Sequence, residues 1–311
     1  MAGPNDDFEE VHGLLFKAEE RYGSVFATVV YTVHADVAEA ANRRFVDWRF
    51  AHGSGFGMVR EAGGEWRRPP REDFYRSFED TEQTVHLWHE RPNRWREEWR
   101  TQDGSMLRCV VFGGARGPRW AYEPPGTAIH DAALSEPWPH QDPYTDLSFM
   151  LDPSEDLFSY ALIDDATVHK TGRRTTVAGR EAVEVRVVTV SWGYPPAIFH
   201  GYGASLEGTT DHVLLVDGEI GTILRVAARL DDVEFRVAEI TEIFYDEEFA
   251  EDTFRLELPG VEFQLWDLLG FERRRPWAGR EPYFLGFRPM LTISGWTPSA
   301  GPSPSSWSRY W

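Results

Sequence analysis

Few of the side chains able to do chemistry stand at spacings that chemistry requires. His86 and His89 are the closest pair of imidazoles. Read on a strand, their odd separation puts them on opposite faces, so they share no metal ion, and both are expected on a partly exposed strand. His130 and His140 flank Asp131 and Asp142 in a stretch rich in Pro, His and Asp. Imidazole and carboxylate together could hold a metal, but the spacing matches no ligand motif, so a metal-dependent enzyme is the third reading of the chain. The acidic run Tyr245-Asp246-Glu247-Glu248, with Glu251 and Asp252, reads as a solvated turn. Cys109 lies within Met106 to Phe112 with nothing nearby to activate a thiol, and reads as a small core residue. There is no phosphate loop, no Gly-x-Ser-x-Gly elbow and no His-Glu-x-x-His. Gly201-Tyr202-Gly203 is a fragment of a glycine pattern with no helix after it. Arg67-Arg68 beside Trp66, and Arg273-Arg274-Arg275 near Trp277, could meet a base or an anionic head group. Local ion pairs or a partner contact fit the overall charge better. No catalytic residue, metal ligand or cofactor is expected.

That charge is −19, from 32 basic against 51 acidic residues in a chain of 311. Nucleic acid and anionic membranes need a basic face, so neither is expected as a partner. A single cysteine excludes an internal disulfide and a cysteine-based metal centre. The only lysines are Lys17 and Lys170, and the arginine bias reads as a GC-rich coding sequence. Met1 to Glu10 has neither a basic nor an apolar region of the secretory kind. No later stretch approaches the roughly 18 apolar residues of a membrane span. A cytoplasmic location is the expectation, unless a leader has been removed. Aromatic residues make up 14%, including 13 tryptophans, which points to an aromatic-lined interior or a binding surface.

The elements that must position these residues are mainly strands. Asp6 and Asp7 suit a helix start, and Phe8, Val11, Leu14, Leu15, Ala18 and Tyr22 recur at helical spacing up to Gly23, a natural C-cap. Ser24 to His34 reads as a strand that is apolar on both faces at its centre. Ala35 to Ala51 fits either a short helix or two strand pieces. From Ser54 to Gly126 strand follows strand, with turns at Ala62-Gly63-Gly64, Arg91-Pro92-Asn93, Gln102-Asp103-Gly104 and Gly113-Gly114. Such close spacing makes antiparallel hairpins. Thr127 to Pro143 reads as a loop, and Tyr144 to Leu162 as short helices broken at Pro153. Strands resume at Ala166, with Val183, Val185 and Val187 on one face. Leu224, Val226, Ala228 and Leu230 share a face of the next strand, and Phe235 and Val237 a face of the last. Gly193 to Thr210 reads as a loop between them. Two units are expected: residues 1–260, and an aromatic-rich extension over 261–311 whose last dozen residues are Pro/Ser-rich.

Four segments resemble the lipoprotein-carrier superfamily, the LolA/RseB-like periplasmic carriers and sensors. Leu87-Trp88-His89-Glu90-Arg91-Pro92-Asn93-Arg94-Trp95-Arg96-Glu97-Glu98-Trp99 is similar to that family's strand, Arg-Pro turn and strand. Val177-Ala178-Gly179-Arg180-Glu181-Ala182-Val183-Glu184-Val185 resembles its glycine-led turn into a long strand. Val213 to Val226 resembles its Asp-x-x-x-Gly hairpin, here Asp217 to Gly221. Asp246 to Pro259 resembles its closing segment, an acidic turn followed by Phe and Pro. The chain departs from the family in lacking a signal peptide and a lipid-attachment cysteine near its start, and the residues after 260 have no counterpart. The subtype expected is a cytoplasmic, actinobacterial-type member.

The resemblance implies an α+β, mainly β fold. Its centre is a strongly curved antiparallel sheet, an unclosed half-barrel, covered on its concave face by helices. It also implies a groove between sheet and helices that takes acyl chains or a hydrophobic partner segment. Such a groove can bind lipid with no catalytic residue, at about 0.8 kcal/mol for each buried methylene. The expected lining is Val11 and Leu15 on the helix, with Val29, Tyr31, Trp95, Trp99, Val185, Val187, Leu224 and Val226 on the strands. The first expectation is therefore a non-catalytic binding protein for a lipid or other hydrophobic small molecule. The second is a regulatory or scaffold protein that binds a protein partner through residues 261–311.

Overall fold

The computed structural model describes residues 4–51, 59–60, 66–67, 70–114, 117–124, 127–131, 147–153, 168–188 and 208–265. Helix α1 (Pro4–Leu15) leads through a 3-10 turn (Glu19–Arg21) into β1 (Ser24–Val33), and helix α2 (Ala35–Ala51) follows. Strands β2 (Val59–Arg60) and β3 (Trp66–Arg67) form a separate antiparallel pair. A meander then runs through β4 (Thr81–Glu90), β5 (Arg94–Arg100), β6 (Met106–Gly113), β7 (Arg119–Glu123) and β8 (Thr127–Asp131). After a 3-10 turn at Ser148–Met150 come β9 (Val168–Val177), β10 (Arg180–Val188), β11 (Asp211–Asp217), β12 (Ile223–Leu230) and β13 (Val233–Tyr245). A final 3-10 turn (Glu251–Phe254) precedes β14 (Gln264–Leu265).

Twelve strands form one sheet in the order β14-β8-β7-β6-β5-β4-β1-β13-β12-β11-β10-β9. Every neighbouring pair is antiparallel except β14 with β8, which is parallel. Among the described residues the sheet does not close, and β9 and β14 are its edges. This is the curved half-barrel expected from the sequence. Turn chemistry fixes its registers. Between β9 and β10, Ala178 and Gly179 both take positive φ (49° and 77°), the two-residue hairpin whose twist matches the flanking strands. Asp231 and Asp232 do the same between β12 and β13. The β9 edge carries Lys170, Arg173 and Arg174, charges that discourage pairing with another chain.

The helices cover the concave face. Val11 and Leu15 of α1, Ala38 and Ala41 of α2, and Leu147, Phe149, Met150 and Leu151 of the 3-10 turn join one core cluster with the inward side chains of the strands. A second cluster lies on the other face, where Cys109 and Val111 pack against Phe254 and Leu256. Phe249, Leu258 and Phe263 flank it, so the segment after β13 straps the outer surface of the meander before β14 joins β8. Arg96 fastens the strap by donating to the Thr253 and Arg255 carbonyls, and the Arg94 guanidinium lies 4.4 Å from the Phe254 ring centre.

Several expectations are corrected. The first helix stops at Leu15 and does not run to Tyr22. Its end meets the Asp217–Gly221 turn, and Arg21 caps the Leu14 carbonyl while also donating to the Glu219 and Ile220 carbonyls. Ala35–Ala51 is one helix, with Ala41 and Phe45 buried one turn apart. Thr127–Asp131, read as loop, is a strand because it closes a hairpin with β7, pairing Thr127 with Glu123 and Ile129 with Ala121. In β13 a register shift opposite Arg229 breaks the alternation. Phe235 is therefore buried while Val237 is not, and the core face continues through Ala238 and Ile240. The stretches 193–207 and 154–162, and everything from Trp266 on, lie outside the described residues.

The contact between α1 and the Asp217–Gly221 turn leaves no room for a side chain. Gly221 has φ +96°, and a Cβ there would lie 2.0 Å from the Leu14 carbonyl oxygen. Gly221→Ala is expected to destabilise the fold by about 2 kcal/mol or more. Equilibrium urea unfolding checks this, and an unchanged midpoint would contradict it.

Candidate functional site

The inner surface of the sheet is built by alternation. Residues two apart on each strand point inward, and antiparallel register lines them up across strands. One such row runs Val185, Leu214, Val226, Ala238 and Tyr31 over five neighbouring strands. Another joins Val29, Val85 and Trp99. Tyr31 and Trp99 meet edge-on with ring centres 5.0 Å apart, a favourable geometry for two quadrupoles. All ten residues expected to line a groove (Val11, Leu15, Val29, Tyr31, Trp95, Trp99, Val185, Val187, Leu224 and Val226) fall in this single apolar cluster. None is more than 9% exposed, because α1 and the Ser148–Met150 turn lie over them. A ligand on this face must share space with that cover or displace it.

Two polar groups beside Trp95 interrupt the apolar floor, and sequence reasoning assigned neither to it. Glu97 stands between Trp95 and Trp99 on the same face of β5 and is fully buried. Its carboxylate accepts the Trp99 indole N–H at 2.6 Å and the Leu147 backbone N–H at 3.0 Å. It therefore ties the floor to the start of the covering turn. His89 is 1% exposed, against the expectation of a partly exposed pair with His86. It points inward because Val85 and Leu87 do, and its ring stacks on Trp95 with centres 3.8 Å apart and planes 4° from parallel. Its Nδ1 is 2.9 Å from the Tyr22 hydroxyl, which donates to the Leu151 carbonyl at 2.9 Å. Tyr22 and Glu97 thus hold the two ends of the Leu147–Leu151 segment. The signal for Glu97 was present in the sequence, since period two places it with its two tryptophans.

Burial holds both inward histidines neutral. Burial, aided by the positive charge of Arg91, pushes His89 down to about 3. Burial does the same to His212, which the Asp211 charge only partly opposes, again to about 3. On the outer face, burial would raise the Glu98 carboxyl, but Arg96 and Arg100 outweigh it and hold it below its usual range. Burial pushes the Cys109 thiol up to about 12, so it is no nucleophile at neutral pH.

Of the four other candidates, His130 and Asp131 are described. His130 lies on β8 against Trp120, ring centres 5.2 Å apart, and Asp131 ends that strand. His140 and Asp142 lie outside the described residues. Among the described residues no three His, Cys, Asp or Glu side chains converge as metal ligands. No described helix is long and apolar enough to cross a membrane.

Two measurements follow. Glu97→Ala strands two buried donors and is expected to lower stability by about 2–3 kcal/mol, read from chemical unfolding. For His89 and His212 the folded state resists protonation that the unfolded state accepts below pH 6.5. Stability is therefore complete above that pH and is lost as pH falls from 6.5 toward 3, by up to about 1.4 kcal/mol per unit for each histidine. A melting temperature that stays flat between pH 7 and pH 5 would contradict this.

No protein-family profile and no curated sequence matches the chain. Solved structures do. The MucA/MucB complex of Pseudomonas aeruginosa aligns at 16% identity over 81% of this chain, with a TM-score of 0.40. The chain spans 61% of the length of that structure's matching chain. The lipoprotein LppX of Mycobacterium tuberculosis aligns at 9% identity over 80% of this chain and 100% of its own, with a TM-score of 0.37. A LolA superfamily protein from Nitrosomonas europaea aligns at 8% identity over 82% of this chain and 99% of its own, with a TM-score of 0.28. Likenesses this distant decide nothing about ligand or activity, which rest on the chain's own residues.

Proposed function

We propose that the chain is a non-catalytic binding protein that holds a hydrophobic ligand, a lipid or acyl chain, between the sheet and its helical cover. A cytoplasmic setting is part of the proposal. The observation that carries it is the continuous apolar row from Val185 to Tyr31, extended by Val29, Val85 and Trp99 and covered by α1 and a short turn. Each acyl methylene moved from water onto this surface contributes about 0.8 kcal/mol, so a chain of ordinary length suffices for tight binding without polar contacts. The buried, neutral histidines and the high thiol pKa offer no nucleophile.

The second reading is a scaffold that binds a protein partner through the aromatic extension. Trp266, Phe271, Trp277, Tyr283, Phe284, Phe287, Trp296, Trp307, Tyr310 and Trp311 give it the composition of an interface core. Phe263 packs on the outer cluster and Gln264–Leu265 pairs with β8, so the informative truncation begins at residue 266.

Native mass spectrometry of the purified full-length protein, followed by solvent extraction, tests the first reading. A co-purifying apolar molecule of defined mass is the expected result. An apo mass, together with no response of the tryptophan fluorescence to long-chain alcohols or acids, would overturn it. Truncation after Leu265 should leave the unfolding midpoint unchanged. If it also abolishes recovery of a partner that the full chain binds, the second reading takes precedence.

A further inference from the structure

We propose that Nε2 of His89 is the polar anchor of the concave-face site and accepts a hydroxyl or amide N–H from the head of a neutral amphiphile. The inference rests on the carrier reading above and adds the chemistry of the head group.

The hydrogen-bond network assigns the tautomer. The Tyr22 hydroxyl has one proton, and the Leu151 carbonyl 2.9 Å away can only accept it. Nδ1 of His89, 2.9 Å from the same hydroxyl oxygen, must then be the donor. A neutral imidazole protonated on Nδ1 carries a bare lone pair on Nε2. That atom is buried and has no hydrogen-bond partner among the described residues. A buried acceptor without a donor destabilises a fold, and native structures leave few of them. The ring cannot turn to relieve it. A half-turn about Cβ–Cγ would keep the stack on Trp95 but break the bond to Tyr22, and any other rotation would break the stack.

The surroundings define what the lone pair would meet. His89 belongs to the inward row Val25, His89, Trp95 and Phe112, so an acyl chain has apolar surface on either side of it. A carboxylate head offers only acceptors at neutral pH and would face the lone pair directly. The buried Glu97, two residues from Trp95 on the same face, already takes the two donors there, the Trp99 indole and the Leu147 backbone N–H. A neutral head with an O–H or N–H supplies the missing donor and adds no charge.

The test is a titration of the delipidated full-length protein, followed by its tryptophan fluorescence, with dodecanol, its isomer methyl undecyl ether, and dodecanoate. The alcohol and ether bury nearly equal apolar surface but only the alcohol donates. Dodecanol is expected to bind about tenfold more tightly than the ether, and more tightly than dodecanoate. His89→Phe keeps a flat ring against Trp95, and its alcohol and ether affinities should converge. A second readout needs no variant: the nitrogen resonance of His89 Nε2 should move on adding dodecanol and stay with the ether. Equal binding of alcohol and ether by the unmodified protein, or an unmoved resonance, overturns the anchor while leaving the carrier reading intact. Binding of none of the three overturns the carrier reading and the anchor with it.

Discussion

An open twelve-stranded sheet has an inner face that its own strands cannot cover. In a closed barrel, opposite walls bury one another. In a sandwich, a second sheet does so. Among the described residues the strands end at two edges, and the apolar rows they create must be met by something else. That need explains where the two helices and the first 3-10 segment after β8 press: Val11 and Leu15, Ala38 and Ala41, and Leu147–Leu151 all meet the same surface. It also explains the polar tethers. An apolar turn on an apolar floor has many nearly equivalent positions, and the Glu97 and Tyr22 hydrogen bonds select one.

The two sides of the sheet use charge in opposite ways. On the outer face, Glu98 sits between Arg96 and Arg100, and Asp211 accepts from Arg186 and Arg229. Burial alone would raise the Asp211 carboxyl, and its two arginines reverse the shift. These charges are neutralised in pairs along strands that already stand in register. On the inner face Glu97 and His89, beside the tryptophans, each take a hydrogen bond with a neutral group. Such groups are costly to place in a core. Their presence beside the covering turn fits a surface with a task beyond packing.

Alternation and turn residues made the sheet legible in the sequence. The Ala178-Gly179, Asp217–Gly221 and Arg91-Pro92-Asn93 turns stand where their residue types put them, and all ten lining candidates share one cluster. The helix end at Leu15 was not legible, because what stops it is a turn more than two hundred residues away that local periodicity cannot see. Strand β8 was hidden for a similar reason: its His- and Asp-rich composition reads as loop, and only the hairpin partner supplies its hydrogen bonds. The candidate site was half legible. Its apolar floor follows from period two, and so did Glu97, but residue type overrode position. The inward aim of His89 needed the register with Trp95 to become visible.

The strap after β13 has a mechanical consequence. β13 lies near the middle of the sheet, while β14 completes the far edge beyond β8. The chain between them crosses the backs of the meander strands and is pinned on the way by Arg96 and by Phe254 and Leu256. It therefore acts as a hoop around half of the structure. A hoop resists splaying, so the curvature of that half is set when the chain folds and is not free to relax around a guest. Any volume a guest gains there must come from the lighter side, by lifting a helix or the tethered turn, with the sheet itself serving as a rigid trough.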